Sequence, residues 1–147
     1  MTSAQHLATI ERLCSEGFPQ EHGGSDVGAE GPGYRIVELA TSEEFWEDDG
    51  TAREETQEQY EADRDGITEL LANRWGRPHI ISLASVFERS VDGEDIPEPW
   101  GILSSHVPDL HLWRADGHDR WVALGVSQWA RDLPFQLLLV VTEIDPP

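Results

Sequence analysis

The densest group of residues able to do acid–base or metal chemistry lies in the second half of the chain. His106, Asp109 and His111 fall close together, and His118 and Asp119 follow at a turn. Asp109 and His111 share parity on a predicted strand and therefore point to one face, as two metal ligands must. No HExxH or CxxC pairing accompanies them, and strand histidines on a half-exposed face are more often structural. We therefore expect no metal, with a metal site at His106, Asp109 and His111 as the alternative.

Nucleophiles are not marked by any motif. Cys14 falls on the apolar side of a predicted helix, where a buried thiol behaves as a small hydrophobe. A lone cysteine forms neither an internal disulfide nor a thiolate metal site. No serine stands in a G-x-S-x-G or S-x-x-K context, and the glycine-rich stretch at residues 22–33 leads into a strand instead of a helix N-terminus. The sequence predicts a protein without a cofactor and without enzymatic activity.

Acidic residues form the most unusual pattern. Arginine supplies all 10 basic residues, against 29 aspartates and glutamates, and the formal net charge is -19. Residues 41–66 contain about half of that net charge. In a predicted helix, four of these acids lie within about 40° of one line along the helix axis: Glu54, Glu58, Glu61 and Asp65. Like charges at this spacing destabilise a helix, so the stripe favours an encounter with a basic partner.

The same charge excludes several other partners. A nucleic-acid backbone is repelled by such a surface, and anionic membranes are disfavoured. No run approaches the roughly 20 apolar residues of a membrane helix. The first residues lack the charged start and apolar stretch of a secretory signal, so we expect a cytoplasmic protein. A chain with arginine but no lysine also suggests a GC-rich genome whose proteins run acidic, which is the alternative explanation of the charge.

Six tryptophans are present in 147 residues. Most are expected in the core, because tryptophan contributes a large buried area to a small domain. Trp46 and Trp100 are different, since both lie among acids and prolines outside any apolar period, and they favour a partner-facing position. Trp121 and Trp129 share parity on one predicted strand. Trp113 joins their face only if the hairpin loop has an odd number of residues.

The elements that would position these residues form a single domain over residues 1–147. Residues 1–21 are predicted as an N-terminal helix, residues 22–33 as a flexible linker and residues 34–147 as an α+β core. The longest helix is predicted at residues 51–75 with Thr51 as its N-cap. Strands are predicted at residues 34–40, 79–83, 110–115, 121–128 and 137–141. The last strand is apolar without alternation and should be central.

This order of elements predicts an α+β fold. Its sheet is mainly antiparallel, with about four to five strands, and two helices pack on one face. Residues 92–100, with two prolines and four acids, are predicted as a loop. The oligomeric state is open at this point.

The acidic stripe, the arginine-only basic set and the RWGRP sequence at residues 74–78 resemble features of small acidic actinobacterial proteins. In size, charge and layout, the chain is similar to immunity proteins of bacterial polymorphic toxin systems. The resemblance implies a small cytoplasmic protein that neutralises a cognate toxin by binding it. It implies no site residue, because no motif of a particular immunity family is present.

The sequence therefore predicts a non-enzymatic acidic protein-binding module. The predicted contact residues are Trp46, Glu47, Asp48, Glu54, Glu58, Glu61, Asp65 and Trp100. If the partner is a nuclease toxin, the acids would occupy phosphate positions in its active cleft. One alternative is a small enzyme or ligand-binding domain with a pocket between the sheet and residues 92–108, using His106, Asp109 and His111. Another is a scaffold subunit whose sheet edge or tryptophan face packs into an oligomer.

Overall fold

A computed structural model gives the structure of this chain, and it describes residues 3–18, 23–25, 28–47, 49–115 and 119–147. The helices in these ranges are α1 (Ser3–Ser15), α2 (Thr51–Trp75), α3 (Ala84–Val91) and α4 (Trp100–Ser104). The strands are β1 (Gly23–Ser25), β2 (Gly28–Gly31), β3 (Tyr34–Thr41), β4 (His79–Ser82), β5 (Asp109–Ala115), β6 (Arg120–Ser127) and β7 (Gln136–Thr142). None of the described helices is long and apolar enough to cross a membrane.

The seven strands form one antiparallel sheet in the order β1-β2-β3-β7-β6-β5-β4. The predicted α+β class is confirmed, and the strands predicted within residues 34–147 are all present. The sheet is wider than the predicted four to five strands. Strand β7 is the fourth of seven, so its predicted central position is confirmed.

Two separate cores cover the two faces of the sheet, because successive side chains of a strand point to opposite sides. The α2-side core joins α1 and α2 to one face, and its members include Ile10, Leu13, Ile67, Leu71, Trp113, Leu124, Phe135, Leu137 and Leu139. The α4-side core joins α3 and α4 to the other face, and its members include Val86, Trp100, Leu103, Leu110, Leu112, Leu138 and Val140. The two predicted helices therefore share one face, and two unpredicted short helices cover the other.

Strands β1 and β2 correct the predicted linker at residues 22–33. Gly28 pairs with Val37 and Gly31 with Tyr34, so β2 adds to the edge of β3, and β1 then adds to β2. Glycine lowers the intrinsic strand preference. Backbone pairing needs no side chain, however, and β3 presents unpaired backbone groups to its neighbour. The linker prediction is wrong for residues 23–25 and 28–31.

Helix α2 spans the predicted residues, but its N-cap differs. Gly50 is the N-cap, with a φ of 106°, and Thr51 is the first helical residue. The Thr51 backbone N–H donates to Asp49 Oδ1 at 3.0 Å, which satisfies one of the first amides of the helix. The prediction of Thr51 as the cap is therefore wrong. At the other end, the Gly76 N–H donates to the Ala72 carbonyl at 2.9 Å.

The β5–β6 hairpin decides where three tryptophans point. Ala115 pairs with Arg120, so an even number of residues, four, connects the two strands. Trp113 and Trp121 therefore point to opposite faces, Trp113 into the α2-side core and Trp121 against the α4-side core. Trp129 lies beyond the end of β6, so the prediction that it shares a strand with Trp121 is wrong.

Gly125 of β6 tests how closely the α4 side of the sheet is packed. A Cβ at this position would lie 2.7 Å from Val107 Cγ1 and 2.8 Å from Leu110 Cδ2, whereas a Cβ at Gly66 of α2 meets open space. We expect Gly125→Ala to lower the free energy of unfolding by about 1–3 kcal/mol. Gly66→Ala should raise it by about 1 kcal/mol, because alanine favours a helix interior. Urea unfolding of both variants measures this, and equal effects would contradict the packing described.

Candidate functional site

Trp46 is the most exposed tryptophan of the described residues. Its loop is anchored by contacts with residues 132–135. The side chain of Trp46 is 64% exposed, while its neighbour Phe45 is buried edge-on against Phe135, with ring centroids 5.8 Å apart. The Phe45 N–H donates to the Asp132 carbonyl at 2.9 Å. Ser42 is tied to Phe135 twice, by its N–H donating at 2.9 Å and its hydroxyl accepting at 2.8 Å. The indole is therefore presented to solvent from a fixed backbone.

Exposed carboxylates surround this loop and continue along the outward side of α2. We call this surface the acidic face, and it consists of Trp46 with Glu43, Glu44, Glu47, Asp49, Glu54, Glu55 and Glu58, all exposed. A depression of about 410 Å³ lies between the loop and the first turns of α2, and its lining includes Phe45, Ala52 and Thr56. Around the helix axis, Glu55 falls between this depression and Glu54, which makes the negative surface continuous.

The structure places most of the predicted contact residues on the surface and separates two from it. Trp46, Glu47, Glu54, Glu58 and Asp65 are exposed. Asp48 lies outside the described residues. Asp65 belongs to the far end of the stripe, where the Arg64 Nε donates to its Oδ1 at 3.1 Å.

Glu61 is half-buried and turns toward the sheet instead of outward. Its Oε1 accepts a hydrogen bond from Gln57 Nε2 at 3.1 Å. On the helix, Glu61 lies on the side of the stripe nearest the buried Leu71, and this small rotation is enough to place it in a cleft. The predicted line of four equivalent carboxylates is therefore wrong at this position.

Trp100 is fully buried, so the prediction that it anchors a partner is wrong. It begins α4 and packs in the α4-side core, where its Nε1 donates to the Ile144 carbonyl at 3.2 Å. The acids and prolines before it belong to the preceding loop, whereas Trp100, Leu103 and Val107 are all buried. Their spacing of three and four residues is a helical stripe, and this signal in the sequence could have identified the burial.

A second site lies on the sheet-facing flank of α2. We call it the polar cleft, a cavity of about 350 Å³ lined by Arg53, Gln57, Glu61, Arg64, His106, Pro108, Asp109, Val126, Gln128 and Phe135. Four of these residues follow one line along α2, and the others come from the start of β5, the end of β6 and the approach to β7. Sequence reasoning found His106 and Asp109 but missed the arginines that face them.

Gln128 fixes one end of the polar cleft. Its Oε1 accepts hydrogen bonds from Arg53 Nη2 at 2.7 Å and Nε at 3.2 Å. Its Nε2 donates to the carbonyls of Arg131 at 3.0 Å and Leu133 at 2.9 Å. The Arg53 guanidinium also lies 5.5 Å from the centroid of the Phe135 ring, within reach of a cation–π contact. The orientation of Arg53 is therefore set before any ligand arrives.

Arg64 and its neighbours form the other end. The Arg64 side chain is only 14% exposed, and its Nη1 lies 3.6 Å from Asp109 Oδ1. One turn further along α2, Thr68 Oγ1 and His111 Nδ1 are hydrogen-bonded at 2.9 Å. Asp109 and His111 thus face the same helix, as their shared parity predicts.

His106 forms part of the cleft wall and is 9% exposed. Its ring stacks on the half-exposed Trp129, with centroids 3.7 Å apart and the planes 14° from parallel. Burial lowers the pKa of His106 to about 4, so the ring is neutral at physiological pH. Its Nδ1 is buried without a hydrogen-bond partner among the described residues.

Neither a metal site nor an activated thiol is assembled in the part of the chain that the structure describes. No three histidine, cysteine or acidic side chains there are grouped to hold a metal ion, and His118 lies outside that part. The His106 ring stacks on Trp129, and the His111 ring is hydrogen-bonded to Thr68. Cys14 is buried as predicted, and burial raises the pKa of its thiol to about 11.

Comparison with known proteins assigns this chain to no family. No family model, curated protein or solved structure matches this chain. The resemblance to immunity proteins in size, charge and layout stays a prediction. The function must be inferred from the acidic face and the polar cleft themselves.

Alanine substitutions of Trp46 and Trp100 test whether Trp46 is exposed and Trp100 is buried. Trp100→Ala should lower the free energy of unfolding by about 3–5 kcal/mol, because it empties a large volume in the α4-side core. Trp46→Ala should change it by less than about 0.5 kcal/mol, because the indole is mostly in solvent and its N–H donates to Glu44, which is also exposed. Urea unfolding followed by circular dichroism gives both values, and a large loss for Trp46→Ala would contradict the exposed position.

The buried imidazole of His106 predicts a pH-dependent stability. In the unfolded chain its pKa is about 6.5. Between pH 6.5 and about 4, the His106 imidazole is therefore protonated in the unfolded chain but not in the folded protein. The free energy of unfolding falls as pH falls through this range. His106→Phe keeps a ring against Trp129 but cannot titrate. We expect the wild type to lose about 2–3 kcal/mol more than this variant between pH 7 and pH 4.5.

Urea unfolding of both proteins at the two pH values measures this difference. His6 and His111, whose pKa values burial also lowers, titrate in both proteins and cancel in the comparison. An identical pH dependence in the two proteins would show that His106 is not buried in its neutral form.

Proposed function

We propose that this chain is a non-enzymatic protein-binding module whose acidic face receives a basic surface of another protein. The observation that carries the proposal is Trp46, which is 64% exposed on an anchored loop among exposed carboxylates. When a partner covers a large aromatic ring that was exposed to water, the free energy of the system falls. Tryptophan is also the residue type most often found at the energetic centre of an interface.

The carboxylates of the acidic face determine which partners it favours. Seven exposed acids lie within residues 43–58, three of them beside Trp46 on its loop and three on α2, and the arginine nearest to them in α2, Arg53, is turned into the polar cleft. A concentrated field of one sign steers a partner of the opposite sign and raises its association rate. It also repels other acidic proteins and nucleic acids, which narrows the set of partners.

The anchoring of the loop lowers the cost of binding. Ser42 and Phe45 hold the loop to residues 132–135, and Asp49 ties it to the start of α2. Little backbone freedom is then lost when a partner arrives, so more of the contact energy becomes affinity.

The partner we propose is a basic protein of the same cytoplasm. A toxin neutralised by its immunity protein is the class that the sequence resemblance favours. For a nuclease toxin, Glu54 and Glu58 would stand in for substrate phosphates and block the active cleft. In this function the chain needs no cofactor and carries out no reaction.

Site-specific photo-cross-linking in the host identifies the partner. A benzophenone amino acid replaces Trp46 in one protein and Val91 in the control, because Val91 is an equally exposed apolar residue on α3, across the sheet. We expect position 46 to capture one basic protein that position 91 does not. Adducts that are the same at both positions, or none at position 46, would overturn the proposal. Adducts between two copies of this chain would support the scaffold alternative instead.

The kinetics with that partner then test the role of charge. We expect Glu54→Lys combined with Glu58→Lys to lower the association rate constant by about tenfold or more at low salt, and high salt to reduce the difference. The matched control is Glu88→Lys with Asp92→Lys, which makes the same charge change at the same spacing on α3 and its C-cap. Stopped-flow association rates that fall equally for both pairs would show that only net charge matters.

A further inference from the structure

We propose that the polar cleft binds a small zwitterion of the α-amino-acid type, with its carboxylate at Arg64 and its ammonium group at Glu61. The inference is independent of the acidic face, which points away from this flank of α2. It assigns a ligand class to a cavity that partner binding does not use.

The charge of the cleft differs from the charge of the rest of the molecule. Arg53, Glu61 and Arg64 line the cavity from α2 and Asp109 lines it from β5, and His106 is neutral, so the charged side chains of the lining sum to zero. The chain as a whole has a formal net charge of -19. A ligand of one sign would leave half of this lining unmatched in a partly desolvated site, whereas a ligand that carries both signs matches it.

The spacing of the charges suits a small molecule. Glu61 and Arg64 are three residues apart on α2, so they rise by about 4.5 Å along the axis and share a side of the helix. One molecule with an ammonium group next to a carboxylate can reach both. The Arg64 Nε donates to Asp65, but its Nη1 is 3.6 Å from Asp109, which is longer than a hydrogen bond, and only one oxygen of Glu61 is engaged by Gln57.

The remaining walls suit the body of such a molecule. Val126, Pro108 and Phe135 line the cleft with apolar surface, and its volume of about 350 Å³ is at the small end of ligand sites. His106 closes one side with a buried Nδ1 that has no partner among the described residues.

Nuclear magnetic resonance of the full chain tests the proposal with free amino acids as probes. Each of the common L-amino acids is added separately to about 10 mM, a concentration that detects millimolar binding. We expect at least one to cause saturable shifts of the Arg64 Nε–H and Trp129 indole N–H signals. Its N-acetyl derivative lacks the ammonium group and its amide lacks the carboxylate. Each should bind at least about tenfold more weakly, because one charge of the cleft is then left unmatched.

A matched pair of variants separates the cleft from the helix that carries it. Glu61→Gln removes the carboxylate with little change of shape, and Glu69→Gln does the same about two turns later on the exposed side of α2. We expect Glu61→Gln to weaken binding by about tenfold or more and Glu69→Gln to leave it unchanged. The same spectra show that both variants are folded.

Three results would overturn the proposal. These are the absence of saturable shifts with every amino acid, equal binding of a singly charged derivative, and unchanged binding by Glu61→Gln. None of them bears on Trp46, Glu54 or Glu58, so the partner-binding proposal is tested separately.

Discussion

The burial of β7 on both faces is the constraint on which the rest of the structure depends. Leu137, Leu139 and Val141 point into the α2-side core, while Leu138 and Val140 point into the α4-side core. A strand with no polar face is stable only when both sides are covered and both edges are paired. Strands β3 and β6 supply the paired edges, and helices on each side supply the cover.

Helix α2 converts this scaffold into surfaces with different chemistry. Its Ile67 and Leu71 are buried against the sheet, and six of its seven acidic residues face water. Between these sides runs the line from Arg53 to Arg64 that forms one wall of the polar cleft. A helix packed on a sheet has two flanks that are neither buried nor fully exposed, and on one of them arginines and carboxylates can be held close together at a moderate desolvation cost.

The acidic face and the polar cleft use charge in opposite ways. On the acidic face, many exposed carboxylates lie close together and repel one another, which costs the free protein stability, and in the proposed function a basic partner would relieve this cost. In the cleft, arginines and acids are balanced, and Gln128 accepts two hydrogen bonds from Arg53 while it donates two more to backbone carbonyls. The first arrangement favours long-range attraction, and the second favours close recognition of a small molecule.

Local pattern in the sequence determined the main elements: α2 at residues 51–75, the central β7, the burial of Cys14 and the exposure of Trp46 and Glu54. These features depend on period, charge and neighbours within one turn or strand. Tertiary structure alone decided the rest. Residues 23–25 and 28–31 form strands because β3 offers an edge to pair with. Trp100 is buried because α4 packs on the sheet, and Glu61 lies in a cleft because His106 and Asp109 come from more than forty residues away. Such contacts join distant parts of the chain, so no local period encodes them.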